Sequence, residues 1–193
     1  LPENASYFFD NGIIARALLR CWKKTGDSTF LDTALACAES MRRDFVNSGD
    51  IHPILDLPAK SPRTRDARWS RTSDCYQLKS ALAWLELAKT TGDSAWLASF
   101  DRALERSLAT HRAFPDREPG IRTMDRLHAY GYFLEALLAR SSELEVRAAL
   151  EAGLQLAGDR LRQFRAEFER SDVPAQILRV RLWAHHSGAV GID

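Results

Sequence analysis

The chain has 193 residues, of which 45% are hydrophobic and 27% charged, a length and composition typical of one globular domain with a substantial core. Its 27 basic and 26 acidic residues give a net charge of +1, which offers no general attraction to nucleic acid or to an anionic membrane. No apolar run approaches the roughly 18 residues needed to cross a bilayer, and no signal peptide is visible.

Apolar residues at helical spacing predict a first helix that ends at Gly26, a residue suited to a helix C-terminus. Asp27 or Ser28 is then a good N-cap for a second helix that ends near Phe45. The two helices form a hairpin over residues 7–46.

The turn of this hairpin recurs along the chain. Thr25-Gly26-Asp27-Ser28 returns as Thr91-Gly92-Asp93-Ser94, and each copy is followed by an aromatic residue and a leucine. A shared turn with shared helical patterns on both sides indicates internal repetition. The second copy places another hairpin over residues 73–112.

A third hairpin is predicted over residues 123–168, and a seventh helix from about 172, with Pro174 in its first turn. The odd-numbered helices are apolar on most faces and the even-numbered ones on a single face, which predicts an inner and an outer layer. Long loops at Asn47–Thr72 and Arg112–Arg122 join the hairpins. The expected fold is therefore all-α, as a single hairpin-repeat domain over residues 1–193.

Inner helix, Thr-Gly-Asp turn, outer helix and long loop together resemble the α/α toroid proteins, which include six-hairpin glycosidases, unsaturated glucuronyl hydrolases and N-acylglucosamine 2-epimerases. Cys75–Leu85, Leu127–Leu138 and Ala175–Leu182 look like their inner helices in the same order. The resemblance implies part of a toroid, an incomplete barrel or open arc. Either the chain is a fragment, or it forms an open arc, or two copies complete a ring as a homodimer. The paired histidines of the epimerases are absent, and Tyr130 and Tyr132 stand in their place.

Four aspartates lie at or just before the starts of the odd-numbered helices: Asp10, Asp74, Asp125 and Asp172. In a toroid these starts surround a central cavity, where paired carboxylates act as general acid and base on a glycosidic bond. The glucuronyl hydrolases use inner-helix aspartates in this way, so the resemblance implies catalytic roles for Asp10, Asp74 and Asp125. The alternative is helix capping, because aspartate is a favoured N-cap and complements the helix dipole.

Polar side chains near the same helix starts are suited to the hydroxyl-bearing edges of a sugar. We predict a substrate-binding set of Asn11, Tyr76, Gln77, Lys79, His128, Tyr130, Asp172 and Gln176. The alternative for the histidine and the tyrosines is ordinary core packing with satisfied hydrogen bonds. Arg68 and Trp69, in an arginine-rich loop, would add a charge and a stacking surface, although a solvated basic loop is the alternative there.

These patterns predict a protein that binds or cleaves a saccharide, an acidic one included, or alternatively a non-catalytic helical scaffold or protein-interaction module. If it is an enzyme, we expect a glucuronyl hydrolase-type activity. No cofactor or metal is expected, since the adjacent His185 and His186 point apart on a helix and no nucleotide-binding motif occurs. Three cysteines indicate a reducing, cytoplasmic environment, and Leu1 in place of Met indicates a fragment of a longer chain.

Overall fold

A computed structural model of the protein describes residues 4–64, 72–116, 122–164 and 170–191, and the predicted site residues Arg68 and Trp69 lie outside this part. The described residues are mostly helical, which confirms the all-α prediction, whereas the toroid arrangement stays a prediction. None of the described helices is long and apolar enough to cross a membrane. The helices are α1 (Phe8–Thr25), α2 (Ser28–Phe45), α3 (Leu78–Thr91), α4 (Ser94–Thr110), α5 (Arg122–Leu137), α6 (Leu144–Phe164) and α7 (Asp172–His186).

Short strands that the sequence did not predict occur before α1 and within the long loop after α2. The strands are β1 (Ala5–Tyr7), β2 (Val46–Asn47), β3 (Asp50–Ile51), β4 (Ile54–Asp56) and β5 (Ser61–Pro62). They form an antiparallel sheet in the order β1-β4-β5 and a separate β2–β3 hairpin. Segments of two or three residues are too short to give a recognisable alternation of apolar and polar residues, so the pattern did not predict them.

The two Thr-Gly-Asp turns are nearly identical in geometry. Gly26 and Gly92 end α1 and α3 with φ of 74° and 75°, in the left-handed region that favours glycine. In the first turn the backbone N–H of Asp27 donates to the Thr25 hydroxyl at 3.2 Å, and the Asp27 carboxylate accepts from the Thr29 N–H at 2.9 Å. The second turn repeats these bonds at 3.2 and 2.8 Å. The predicted repeat of the turn is confirmed, with Asp27 as the N-cap of α2.

The chain divides into two compact units. Unit 1 comprises Leu1–Ser73 with Gln77–Arg106, and unit 2 comprises Asp74–Tyr76 with Ser107–Asp193. Both Thr-Gly-Asp turns and all five strands belong to unit 1, whereas α5, α6 and α7 belong to unit 2. The prediction of a single domain over residues 1–193 stays a prediction.

Unit 1 has its core where α1 packs against α2 and α3. The fully buried ring of Phe8 lies edge-on to Phe45 and to Trp84, with ring centroids 5.8 and 5.6 Å apart. The indole N–H of Trp84 donates to the backbone carbonyl of Ala38 at 3.1 Å, so this buried polar group is satisfied. Aromatic packing thereby ties the start of α1 to the middle of α3.

Unit 2 has its core around α5, which packs against α6 and α7. The buried His111 stacks on Phe133 at 5.0 Å and pairs through Nδ1 with the Tyr130 hydroxyl at 2.8 Å. The buried carboxylate of Glu135 forms an ion pair with Arg179 and so links α5 to α7. The interior of unit 2 is therefore partly polar, and these two pairs satisfy some of its buried polar groups.

The predicted difference in burial between odd- and even-numbered helices holds only in part. Helices α3 and α5 are buried on several faces, as expected. The expectation is wrong for α1 and α7, which each bury a single stripe. In unit 2, α7 packs on α5 and α6 and leaves Leu178, Leu182 and Trp183 about half exposed, at 56%, 50% and 52%. A helix covered on one side only cannot bury a fully apolar circumference.

Replacing Gly12 in α1 by alanine tests the close approach of α1 to α3. A Cβ atom at Gly12 would lie 2.4 Å from Cβ and 2.6 Å from Cα of Ser80, so the two helices would have to separate. We expect Gly12→Ala to lower the free energy of unfolding by about 1–3 kcal/mol, as overpacked cores do. Denaturant unfolding followed by circular dichroism measures this change.

Gly158→Ala in α6 is the matched control, because a Cβ there meets only the flexible end of Arg162 at 3.6 Å. It should stabilise the protein by about 0.5–1 kcal/mol through helix propensity. An equal gain from Gly12→Ala would contradict the packing of α1 on α3.

Candidate functional site

The four aspartates lie at helix starts, as the sequence predicted. Asp10 and Asp125 are in the first turns of α1 and α5, and Asp172 is the first residue of α7. Asp74 directly precedes the 3-10 turn Cys75–Gln77, which leads into α3. Asp10 is exposed in unit 1, whereas the other three belong to unit 2, where Asp74 is buried.

The capping alternative does not account for Asp10 or Asp172. The N-cap residues of α1 and α7 are Tyr7 and Ser171, and neither makes a side-chain capping hydrogen bond. Both carboxylates nevertheless lie in a first turn, where negative charge is stabilised by the helix dipole. The Asp172 carboxylate also makes a contact with Arg170, which fixes its position.

The guanidinium of Arg170 joins Asp125 to Asp172 and so links the starts of α5 and α7. Its Nε and Nη2 donate to the two carboxylate oxygens of Asp172 at 3.0 and 2.5 Å, and its Nη1 donates to Asp125. A bidentate pair of this kind fixes the orientation of the carboxylate as well as its position. The two carboxylates keep 47% and 50% of their side-chain surface exposed, so a ligand can reach them.

His128, one turn after Asp125, extends this arrangement along α5. Its Nε2 pairs with the Tyr132 hydroxyl at 2.9 Å, and its Nδ1 lies 3.7 Å from an oxygen of Asp172. We call these side chains the Arg170 cluster, which consists of Asp125, His128, Tyr132, Arg170, Asp172 and Gln176.

Gln176 reaches the cluster because α5 carries a glycine opposite it. A Cβ atom at Gly131 would lie 2.6 Å from Cδ of Gln176, so only glycine leaves room for this side chain. The Gln176 Oε1 atom is buried without a hydrogen bond of normal geometry to the described residues, although Gln176 interacts with His128 closely enough to raise the pKa of that imidazole.

Burial and neighbouring charges shift the pKa values of three side chains of the Arg170 cluster: His128, Tyr132 and Asp172. Burial lowers the pKa of His128 below its ordinary value, the positive charge of Arg170 lowers it further, and Asp172 opposes both effects. Burial raises the pKa of the Tyr132 hydroxyl, and the hydrogen bonds from Arg170 lower the pKa of Asp172. At neutral pH the cluster therefore offers a neutral imidazole and a neutral phenol beside two carboxylates and one guanidinium.

A cavity of about 500 Å³ adjoins the cluster at Arg170. Its walls come from α5, α6 and α7 and are mainly apolar, with Met124, Leu161 and Ile177 among the lining residues. Three arginines also line it: Arg162, Arg170 and Arg181. This volume falls within the range of small-molecule sites in proteins. In the described part of the chain, no group of three His, Cys, Asp or Glu side chains could hold a metal ion.

Other predicted site residues of unit 2 lie in its core. The Tyr130 ring is fully buried and its hydroxyl is engaged by His111, while Tyr76 packs on Phe114 at 5.9 Å between ring centroids. Burial raises the pKa of the Tyr130 hydroxyl. The core-packing alternative therefore describes both tyrosines.

The remaining predicted residues belong to unit 1. The amide of Asn11 donates to the Ser6 hydroxyl at 3.0 Å and to the Tyr7 carbonyl at 2.7 Å, so it fixes the entry into α1. Gln77 is buried and Lys79 half-buried at the start of α3. Of the predicted site residues, the structure thus brings together Asp125, His128, Asp172 and Gln176.

The sequence interpretation missed two members of the cluster, Arg170 and Tyr132. Arg170 stands just before the start of α7, where a cation is disfavoured by the helix dipole, and this unfavourable position was the available signal. Tyr132 lies four residues after His128, the spacing at which two side chains meet on one helix face. Neither signal identifies the bridging partner without the tertiary structure.

Comparison with known proteins gives no match, since no family model, curated protein or solved structure matches the chain. The resemblance to α/α toroids therefore rests on the sequence pattern, and the function has to be argued from the geometry of the site.

Replacing Tyr130 by phenylalanine tests whether this residue belongs to the core. The change removes the hydroxyl that pairs with the buried His111 and should lower the free energy of unfolding by about 1–3 kcal/mol. Tyr132→Phe is the matched control and should cost less, because water can replace the hydroxyl at the half-buried His128. Urea unfolding of both variants measures the difference, and a larger loss in Tyr132→Phe would contradict this assignment.

The two charged neighbours of His128 should move its pKa in opposite directions. Arg170→Gln removes a nearby positive charge and should raise the pKa of His128, whereas Asp172→Asn removes a negative charge and should lower it. Titration of the imidazole signals by NMR measures both shifts. Arg160→Gln removes an arginine of unit 2 outside the cluster and should leave this pKa unchanged.

The same lowered pKa makes the stability of the folded state depend on pH. Because the unfolded chain binds the proton of His128 more readily, the contribution of this group is present above about pH 6.5 and is lost as the pH falls. In the NMR titration, shifts of the His128 pKa in the same direction in Arg170→Gln and Asp172→Asn would refute the explanation by neighbouring charges.

Proposed function

We propose that unit 2 binds a neutral saccharide at the Arg170 cluster, at the starts of α5 and α7. The observation that carries this proposal is the bridging of Asp125 and Asp172 by one guanidinium, which leaves both carboxylates half exposed in fixed orientations. Each carboxylate has acceptor positions beyond the one or two that Arg170 occupies. Vicinal hydroxyls of a sugar are donors at a spacing that suits such acceptors.

The neighbouring groups supply the complementary chemistry. His128, Tyr132 and Gln176 can each donate or accept a hydrogen bond, and the Oε1 atom of Gln176 is buried without one of normal geometry to the described residues. The adjoining cavity of about 500 Å³ has a mainly apolar wall against which the face of a sugar ring can pack. Polar edges and an apolar face are the two surfaces that a saccharide presents.

The charges of the cluster favour a neutral sugar over an acidic one. Arg170 contributes one positive charge and the two carboxylates contribute two negative charges, while burial keeps the His128 imidazole neutral. The cluster alone therefore sums to a negative charge, although Arg162 and Arg181 also line the adjoining cavity, and a uronic acid held against the two carboxylates would meet a like charge.

The protonation of Asp172 favours binding over cleavage. A general acid for glycosidic cleavage needs a carboxyl group that stays protonated near neutral pH, usually because its pKa is raised. The hydrogen bonds from Arg170 instead hold the pKa of Asp172 low. Asp125 also accepts a hydrogen bond from Arg170.

A helical interaction module is the second candidate function, and one observation favours it. Helix α7 carries Leu178, Leu182 and Trp183, each about half exposed, of which Leu178 also lines the cavity beside the Arg170 cluster. Apolar side chains grouped on one exposed helix face are typical of surfaces that contact other proteins. The binding experiment below separates the two functions.

Isothermal titration against a panel of neutral and uronic-acid oligosaccharides tests the proposal. We expect neutral oligosaccharides to bind more tightly than acidic ones, and Asp125→Asn to weaken neutral-sugar binding by roughly 10- to 100-fold, the effect of losing a hydrogen bond to a charged group. Glu151→Gln, an exposed charge change on α6 outside the cluster, is the matched control and should bind as the wild type does.

Three results would overturn this proposal. Tighter binding of the uronic acids would refute the charge argument. Release of new reducing ends that is lost in Asp125→Asn would show cleavage rather than binding. The absence of binding to every sugar would leave the interaction module as the better description of unit 2.

A further inference from the structure

Unit 1 contains a second cavity, of about 490 Å³, that the proposed saccharide site does not involve. Its wall is formed by the end of α2, the β2–β3 hairpin, the middle of α3 and one face of α4. The residues that matter for its chemistry are Arg42, Ser48, Ile51, Trp84 and Arg102.

The cavity lining carries an excess of positive charge. Arg42 is neutralised by Glu39, to which it donates three hydrogen bonds of 2.8–3.1 Å, and its guanidinium lies over the Trp96 ring at 5.6 Å. Arg102 is exposed on α4 and makes no hydrogen bond or ion pair to the described residues of the chain. No carboxylate is among the lining residues that the structure describes.

The Arg102 guanidinium lies on the same face of α4 as an arginine that is already paired. Arg106, one turn further along α4, forms an ion pair with Asp50 on the β2–β3 hairpin. That contact attaches the hairpin to α4. Arg102 is left as an arginine of this wall that makes no ion pair with a described residue.

The remaining wall of the cavity combines apolar surface with two serines, Ser48 and Ser99. Ile51 and Trp84 are 6% and 1% exposed and form an apolar floor. The two-residue turn of the hairpin has φ of 51° at Ser48 and 85° at Gly49, and this left-handed backbone brings Ser48 to the rim. An apolar floor with an arginine at the rim is complementary to a molecule that has an apolar body and an anionic end.

We propose that this cavity binds a small monocarboxylate with an apolar body, whose carboxylate pairs with Arg102. The single uncompensated positive charge matches one negative charge on the ligand, and the volume matches a small molecule rather than a polymer. The guanidinium offers two parallel N–H donors to a carboxylate, while the apolar body covers Ile51 and Trp84. This site is independent of the saccharide proposal, because it shares no residue with the Arg170 cluster.

NMR titration with 1-naphthylacetate and with its neutral amide, 1-naphthylacetamide, tests the proposal. The two probes have the same ring system and differ in charge. We expect the wild type to bind the carboxylate about tenfold more tightly than the amide, the effect of one charge-assisted pair. The backbone signals of Ser99 and Ala103 and the indole signal of Trp84, all in the cavity wall, should move.

Variants of Arg102 test the carboxylate contact itself. Arg102→Gln should bring the affinity for the carboxylate down to that of the amide, and Arg102→Lys should restore part of the difference. Arg20→Gln removes an equally exposed arginine of unit 1 that lies outside the cavity wall, and it should behave as the wild type. Circular dichroism confirms that each variant is folded.

Two results would overturn the assignment. If the wild type bound 1-naphthylacetate and 1-naphthylacetamide with equal affinity, the charge of the ligand would not contribute to binding. Signal shifts confined to unit 2, or an unchanged preference in Arg102→Gln, would place the carboxylate site elsewhere. Failure of the saccharide experiment would affect neither result.

Discussion

The helical hairpins of unit 1 depend on a reversal of the chain within two residues. Gly26 and Gly92 adopt the left-handed backbone that ends one helix, and the aspartate that follows begins the next by accepting a hydrogen bond from its first turn. Because nothing longer than this turn joins them, α1 and α2 pack against each other as neighbours. Helices α1 and α3 therefore begin at the ends of their hairpins away from the turns, where the long connections also lie.

In unit 2, paired polar groups inside and beside the core accompany the apolar packing of α5. The buried Glu135 pairs with the half-exposed Arg179, and the buried His111 pairs with Tyr130, and in each pair the partners come from different elements. Such pairs add little net stability, but a misplaced helix would leave one member unpaired and buried, which is costly. Arg170 is paired in the same way at the surface. The carboxylates of Asp125 and Asp172 neutralise its positive charge at the start of α7.

The two candidate sites carry opposite local charge, although the chain as a whole carries a net charge of +1. The Arg170 cluster has two carboxylates for one guanidinium, whereas the wall of the unit 1 cavity has a guanidinium without a carboxylate. The nearly balanced net charge of the chain is therefore compatible with a local excess of one charge at each site. Recognition depends on these local sums, because screening in water confines electrostatic effects to short distances.

The sequence by itself determined the helices, the two equivalent turns and the placement of four aspartates at helix starts, since these follow from local periodicity and from the backbone preferences of Gly, Thr and Asp. It did not determine the short strands, which lack enough residues to form a pattern. Only the tertiary structure decided that Tyr130 is core and that Arg170 joins Asp125 to Asp172, because these contacts link residues distant along the chain. Periodicity reports which face of a helix is apolar, and it carries no information about which other helix that face meets.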